Sequence, residues 1–237
     1  MSGRWQDGEI GQWEDLADNL MSIKVIIFDF DGTLADTLDA VVRITNRLAI
    51  EFGYKPTAPE ELAKIRNLSS REIINQSGIS LFKIPFLLNR LKIALRNEIQ
   101  YLNTINGIKE ALITLKKEGN KLGILTSNSE ENVKIFLEKH EMKELFDFIY
   151  SENKLFSKHK TLRKFINQNN LSKEEVIYVG DETRDIEASK KIAIKVIAVS
   201  WGFNTGEALA KSKPDFLIHH PSELIEVMGR LEETIPD

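Results

Sequence analysis

Asp29 and Asp31 stand two residues apart at the end of an apolar run, in the stretch VIIFDFDGTLADT (Val25–Thr37). A bare buried carboxylate is very costly, so acids that end an interior strand must be solvated, paired or bound to a cation. A turn at Gly32 accounts for one Asp-Gly and leaves the pair unexplained. Three later stretches carry groups of complementary chemistry. KLGILTSNS supplies Thr126, Ser127 and Asn128; SENKLFSKHKT supplies Lys154, Lys158 and Lys160; VIYVGDETRD supplies Asp181, Glu182 and Asp185. Each has an ordinary explanation by itself. Hydroxyls and amides cap helices, loop lysines face water, and Gly180-Asp181 can form a turn. Their joint occurrence, one set after each of four apolar runs, is what those explanations leave out.

Together the groups suit phosphoryl transfer. Asp29, Asp31, Asp181 and Asp185 repel one another and an anionic substrate; a divalent cation and a lysine offset both. The chain has no cysteine, and an all-oxygen donor set favours Mg²⁺ over zinc. Ser127, Asn128 and Lys158 are donors for phosphoryl oxygens. One carboxylate can form an aspartyl-phosphate, and a second, two residues on, can protonate the leaving oxygen and later activate water.

Apolar runs predict the strands that must position these groups: Ile23–Phe28, Lys121–Leu125, Phe146–Tyr150, Val176–Val179, Lys195–Val199 and Phe216–Ile218. Helical periodicity follows at Gly107–Glu118, Glu130–Glu138, Thr161–Asn169, Arg184–Lys191 and Ser222–Leu231. Alternating strands and helices predict an α/β fold with a Rossmann-like parallel sheet, whose ligand site lies beyond the carboxyl ends of the strands. Between Asp36 and Asn106 the alternation breaks. Asp39–Phe52, Glu60–Arg66, Arg71–Gln76 and Leu81–Leu102 all read as helix, punctuated by Pro56, Pro59 and Gly78. The expected organisation is a catalytic core at 21–35 and 104–237, an inserted helical cap at 36–103, and a dispensable acidic segment at 1–20.

Phase along the third predicted helix chooses among the lysines. Leu162, Phe165 and Ile166 form its apolar stripe, and stepping back four residues from Leu162 reaches Lys158, whereas Lys160 falls on the outer side.

Composition narrows the class. An apolar fraction of 42% supports a proper core, and the 29% charged fraction suits a soluble protein. Residues 1–20 hold one basic and five acidic side chains, a net of −4, equal to the net charge of the whole chain. The remainder is therefore neutral on balance, which gives no support for nucleic-acid binding. No apolar run is long enough for a membrane span, and the N-terminus lacks the regions of a secretory signal, so the expected address is the cytoplasm. GxSxG, HExxH, GxGxxG and P-loop patterns are absent. His219-His220, beside Pro221, reads as a solvated loop.

DFDGTLADT, ILTSN, the lysine before a helix, and VGDETRD resemble, in order, the four motifs of the haloacid dehalogenase superfamily, over residues 21 to about 220. The helical insert resembles that family's C1-type cap, and SWGFNTGE (Ser200–Glu207) resembles its phosphoglycolate phosphatase branch. The resemblance implies Asp29 as nucleophile and Mg²⁺ ligand, and Asp31 as general acid/base with its carbonyl on Mg²⁺. It implies Ser127 and Asn128 on the phosphoryl group, Lys158 steadying nucleophile and phosphate, Asp181 on Mg²⁺, and Asp185 holding a metal-bound water or the lysine. Two positions depart from the pattern: His159 follows the lysine in place of the usual proline, and Glu182 follows Asp181 where serine is common.

The expected activity is that of a Mg²⁺-dependent phosphatase acting on a small phosphorylated metabolite of the phosphoglycolate type. A dehalogenase needs no acid at Asp31. Phosphoglucomutase-like transfer and a non-catalytic binding protein on the same fold are the alternatives. Arg43, Arg47, Arg66 and Arg71 are the cap candidates for reading the substrate.

Overall fold

A computed structural model describes residues 23–152 and 156–233. The acidic segment 1–20 and Lys154 lie outside the described residues. The first strand, β1 (Val25–Phe28), is buried along its whole length. It is the third of six parallel strands: β2 (Lys121–Thr126), β3 (Phe148–Ser151), β4 (Val176–Gly180), β5 (Lys195–Val199) and β6 (Phe216–Ile218), in the order β3-β2-β1-β4-β5-β6. The predicted α/β class and parallel sheet are therefore what the chain adopts.

Uninterrupted apolar runs form these strands because both faces of the sheet are covered. Ile26 and Phe28 point into one apolar cluster, and Val25 and Ile27 into the other. The first cluster is completed by α5 (Ile108–Lys117), α6 (Glu130–Lys139) and α10 (Glu223–Glu233). The second is completed by α7 (Lys158–Gln168), α8 (Thr183–Lys190) and α9 (Gly206–Lys211). Among the described residues no helix is long and apolar enough to cross a membrane.

Between β1 and β2 the chain leaves the sheet as four helices: α1 (Leu38–Phe52), α2 (Pro59–Ile65), α3 (Ser70–Ser77) and α4 (Ile84–Ile99). α1 and α4 pack through Ile44, Leu48, Phe52, Leu87, Leu95 and Ile99. α2 and α3 bury no residue completely. Between them and α1 lies a cavity of about 440 Å³, reaching from Thr45 and Ile74 to Phe203 and Glu182 of the core.

Most boundaries fall within two residues of the periodicity, and two helices differ by more. The single helix expected over Leu81–Leu102 divides into a 3₁₀ turn at Leu81–Lys83 and α4, whose first turn holds Pro85; proline is tolerated there because its missing N–H would have had no helical partner. The third helix begins at Lys158, three residues before Thr161.

Candidate active site

The sheet order reverses between β1 and β4, so the loops after β1, β2 and β4 emerge side by side. Register makes this concrete: Phe28 pairs with Ile124 on one side and Val179 on the other. Asp29, Ser127 and Asp181 thus follow neighbouring strand ends.

Asp29 is 1% exposed. Its backbone N–H continues the ladder to the Val179 carbonyl at 2.8 Å. Its Oδ1 accepts from the Phe30 N–H at 2.7 Å, and its Oδ2 from Lys158 Nζ at 2.6 Å. Lys158 also donates to Asp185 Oδ1 at 2.7 Å and to the Tyr178 hydroxyl at 2.9 Å. Burial works against the lysine's charge, but Asp185 and Asp29 outweigh it and raise its pKa above the ordinary value. As the first residue of α7, on the side of Leu162 and Phe165, Lys158 is carried inward, whereas Lys160 is exposed.

Asp181 is fully buried. The Thr33 hydroxyl donates to its Oδ1 at 2.7 Å and the Phe203 N–H to its Oδ2 at 2.7 Å. Burial, then the charges of Glu182 and Asp29, push its pKa well above the usual carboxylate range. Asp185 closes a capping box at the start of α8, accepting from the Glu182 N–H at 3.1 Å. Burial raises its pKa to about 6 despite Lys158. One oxygen each of Asp29, Asp181 and Asp185 lies within 4.8 Å of the others. Three buried carboxylates of this closeness, two of them with raised pKa values, form a donor set that fits a divalent cation.

Gly32 and Gly202 make this approach possible. A Cβ on Gly32, where φ is +78°, would lie 2.3 Å from Asp181 Oδ2, and one on Gly202 would lie 2.2 Å from the same oxygen. Any side chain at either place would displace the carboxylate.

Asp31 sits apart from the cation cluster. The Asn128 amide donates to both its carboxylate oxygens, at 3.1 and 3.0 Å. Asn128 Oδ1 in turn accepts from the Asn132 amide at 2.8 Å, and that amide also donates to the Lys92 carbonyl of α4 at 3.1 Å. Burial, then the charge of Asp29, raises the Asp31 pKa to about 7; the Asn128 hydrogen bond opposes the rise. Lys92 is half-buried; burial lowers its pKa, and the charges of Asp31 and Glu152 oppose that. Ser127, half-buried, accepts from Arg184 Nη2 at 3.5 Å.

The structure thus brings Asp29, Asp31, Ser127, Asn128, Lys158, Asp181 and Asp185 to one edge of the sheet. The cap arginines have partners elsewhere. Arg43 and Arg47 of α1 pair with Glu98 of α4, at 2.9 and 2.6 Å. Arg66 donates to the Gly202 and Phe203 carbonyls at 2.8 and 3.1 Å. Arg71 lies 3.6 Å from Glu187 and covers the ring of Phe156. His219 meets the Ser200 hydroxyl at 2.7 Å.

Sequence reasoning missed Tyr178, Thr33, Asn132 and Arg184. Tyr178 had a signal, since a hydroxyl in a fully buried strand must find partners; it donates to the Leu125 carbonyl at 3.0 Å and accepts from Lys158. Arg184 had one too, as the lone base within DETRD. Asn132 had one as well, since it stands four residues after Asn128 at the start of α6, the spacing that makes side chains neighbours on a helix.

Residues 26–199 match the family of haloacid dehalogenase-like hydrolases. A phosphoglycolate phosphatase from Synechococcus elongatus is 36% identical over 209 residues, which cover 88% of this chain and 99% of that protein. One from Aquifex aeolicus is 26% identical, covering 87% and 97% respectively. A structure of a haloacid dehalogenase-like hydrolase from Streptococcus pneumoniae superposes with a TM-score of 0.70 at 21% identity, over 86% of this chain and 98% of that one. On the match across most of its length, the chain belongs to the haloacid dehalogenase-like hydrolases.

Proposed function

We propose that this hydrolase is a Mg²⁺-dependent phosphatase acting on a small phosphomonoester of the phosphoglycolate type, through an aspartyl-phosphate on Asp29. The observation that carries the reading is the buried triad of Asp29, Asp181 and Asp185 with Lys158 bridging two of its members at 2.6 and 2.7 Å. Asp29 attacks phosphorus, the ester P–O bond breaks, and Asp31 gives its proton to the departing oxygen. Water then attacks the same phosphorus, Asp31 takes its proton, and the bond to Asp29 breaks to release inorganic phosphate. The hold of Phe30 and Lys158 on its two oxygens supports Asp29 as the preorganised nucleophile. An Asp31 pKa near neutrality supports a group that must serve as acid and then as base. Asp29, Asp181 and the Asp31 carbonyl would hold Mg²⁺, with Asp185 supporting a bound water. The ion, when bound, would neutralise phosphoryl oxygens, and an all-oxygen set suits a hard cation.

The phosphoglycolate type rests on the relatives at 36% and 26% identity that carry that name. A cytoplasmic address belongs to the same reading. The test is phosphate release from a panel of phosphorylated metabolites, with Mg²⁺ and with a chelator, by the wild type and Asp29→Asn. Turnover is expected only for the wild type with the metal. Sustained turnover by Asp29→Asn would remove the nucleophile from its role.

A further inference from the structure

We propose that Arg184 is a second cation for the transferring phosphoryl group, held ready by Glu182; this rests on the phosphatase reading above. Arg184 is the second residue of α8, and its side chain is only 10% exposed. Its Nη2 ion-pairs with Glu182 Oε1 and reaches Ser127 Oγ at 3.5 Å. Anything hydrogen-bonded to the Ser127 hydroxyl therefore lies within about 6 Å of the guanidinium, since such bonds span roughly 2.7 Å.

Two physical points weigh against a merely structural ion pair. A cation in the first turn of a helix opposes the helix macrodipole, which favours anions there. Burying an arginine is also a poor route to stability even with Glu182, Asp185 and Asp29 to stabilise its charge, because desolvation offsets the attraction. Both costs make sense where an anion is to be bound. A guanidinium carries five donors in a planar fork, so it can keep Glu182 and also take a phosphoryl oxygen.

The Glu182 departure from the family pattern fits the same account. Glu182 Oε1 faces Arg184, and its Oε2 accepts from the Ser70 hydroxyl of the cap at 2.8 Å. One carboxylate thus aims the arginine and also touches the segment that closes over the site. Where the family often has serine, this chain carries an acid together with the base that the acid positions.

The experiment uses inorganic phosphate with Mg²⁺ as the probe. Its affinity is read from thermal shift of the intact protein and from product inhibition of phosphomonoester hydrolysis. Arg184→Gln is expected to weaken phosphate at least tenfold and to raise KM, with Arg184→Lys intermediate. Glu182→Gln removes a negative charge beside the phosphoryl site and keeps the guanidinium, so it is expected to bind phosphate as tightly as the wild type or more tightly. Wild-type affinity in Arg184→Gln overturns the proposal. So does a loss in Glu182→Gln equal to that in Arg184→Gln, which is what a purely structural pair would give. Should Arg184→Gln fail to fold, Arg184→Lys and Glu182→Gln carry the test. A wild type that binds phosphate through Arg184 but hydrolyses no phosphomonoester would defeat the phosphatase reading alone; a wild type that binds no phosphate would defeat this one.

Discussion

At the scale of the residue, the site is an economy of charge. Lys158 is 3% exposed between two carboxylates that are themselves nearly inaccessible. Replacing it with methionine keeps the volume and leaves those carboxylates without their ammonium. We expect Lys158→Met to lower turnover by about 10²–10³-fold, the usual loss for a preorganised electrostatic contact. It should also lower stability, since breaking a buried ion pair costs about 3–5 kcal/mol. Lys160→Met, on the exposed side of α7, should stay within about 0.5 kcal/mol. Phosphate-release rates and urea melts of both proteins check the ranking, and equal effects would refute it. Asp31 yields a prediction about pH. On the proposed mechanism its carboxyl is protonated to assist the leaving oxygen, so turnover should fall as pH rises through the group's pKa of about 7. The Asn128 amide favours the charged carboxylate and holds that pKa down. Asn128→Ala should therefore move the alkaline limb of kcat/KM to higher pH, measured from about pH 5 to pH 9. A shift towards lower pH would contradict the assignment.

At the scale of the element, the inserted helices are tied to the loop after β5 by a short latch. Asn204 is 4% exposed in the loop after β5. Its amide donates to the Arg66 and Leu68 carbonyls, both at 2.9 Å, and its Oδ1 accepts from the Thr183 N–H at 2.9 Å. The Thr205 N–H adds a bond to the Arg66 carbonyl at 3.1 Å. The neighbouring Phe203 N–H holds Asp181, so the loop that grips the cap also orients a metal-site carboxylate. Asn204→Ala takes a partner from the part-buried Leu68 carbonyl and from the buried Thr183 N–H, at about 1–3 kcal/mol for a buried group. The expected outcome is a more open cap, a larger radius of gyration in solution scattering and a raised KM. An unchanged scattering curve with unchanged KM would show that the latch does not govern closure.

At the scale of the whole molecule, the proposed reading requires closure and access to alternate. Asp29 and Asp181 are 1% and 0% exposed, so on the proposed phosphatase reading the inserted helices would move to admit a substrate. The two strands of chain that cross between cap and core are paired: the Asp36 N–H donates to the Asn103 carbonyl and the Ile105 N–H to the Leu34 carbonyl, both at 3.0 Å. Much of this plan was legible in the amino-acid sequence. Continuous apolar runs specify doubly covered strands, and chemistry-bearing residues placed directly after such runs must meet at one sheet edge. Lys158 was legible because a helix repeats every 3.6 residues, so its phase with Leu162 and Phe165 directed it inward. Other features needed the folded chain. Which cap arginines face the substrate could not be read, because Glu98 claims Arg43 and Arg47 from across the cap and loop 202–203 claims Arg66. The Asp31–Asn128 contact and the Arg184–Ser127 approach join residues from different elements. Local periodicity sets which way a side chain points along its own helix or strand; only the packing of separate elements decides what it meets there.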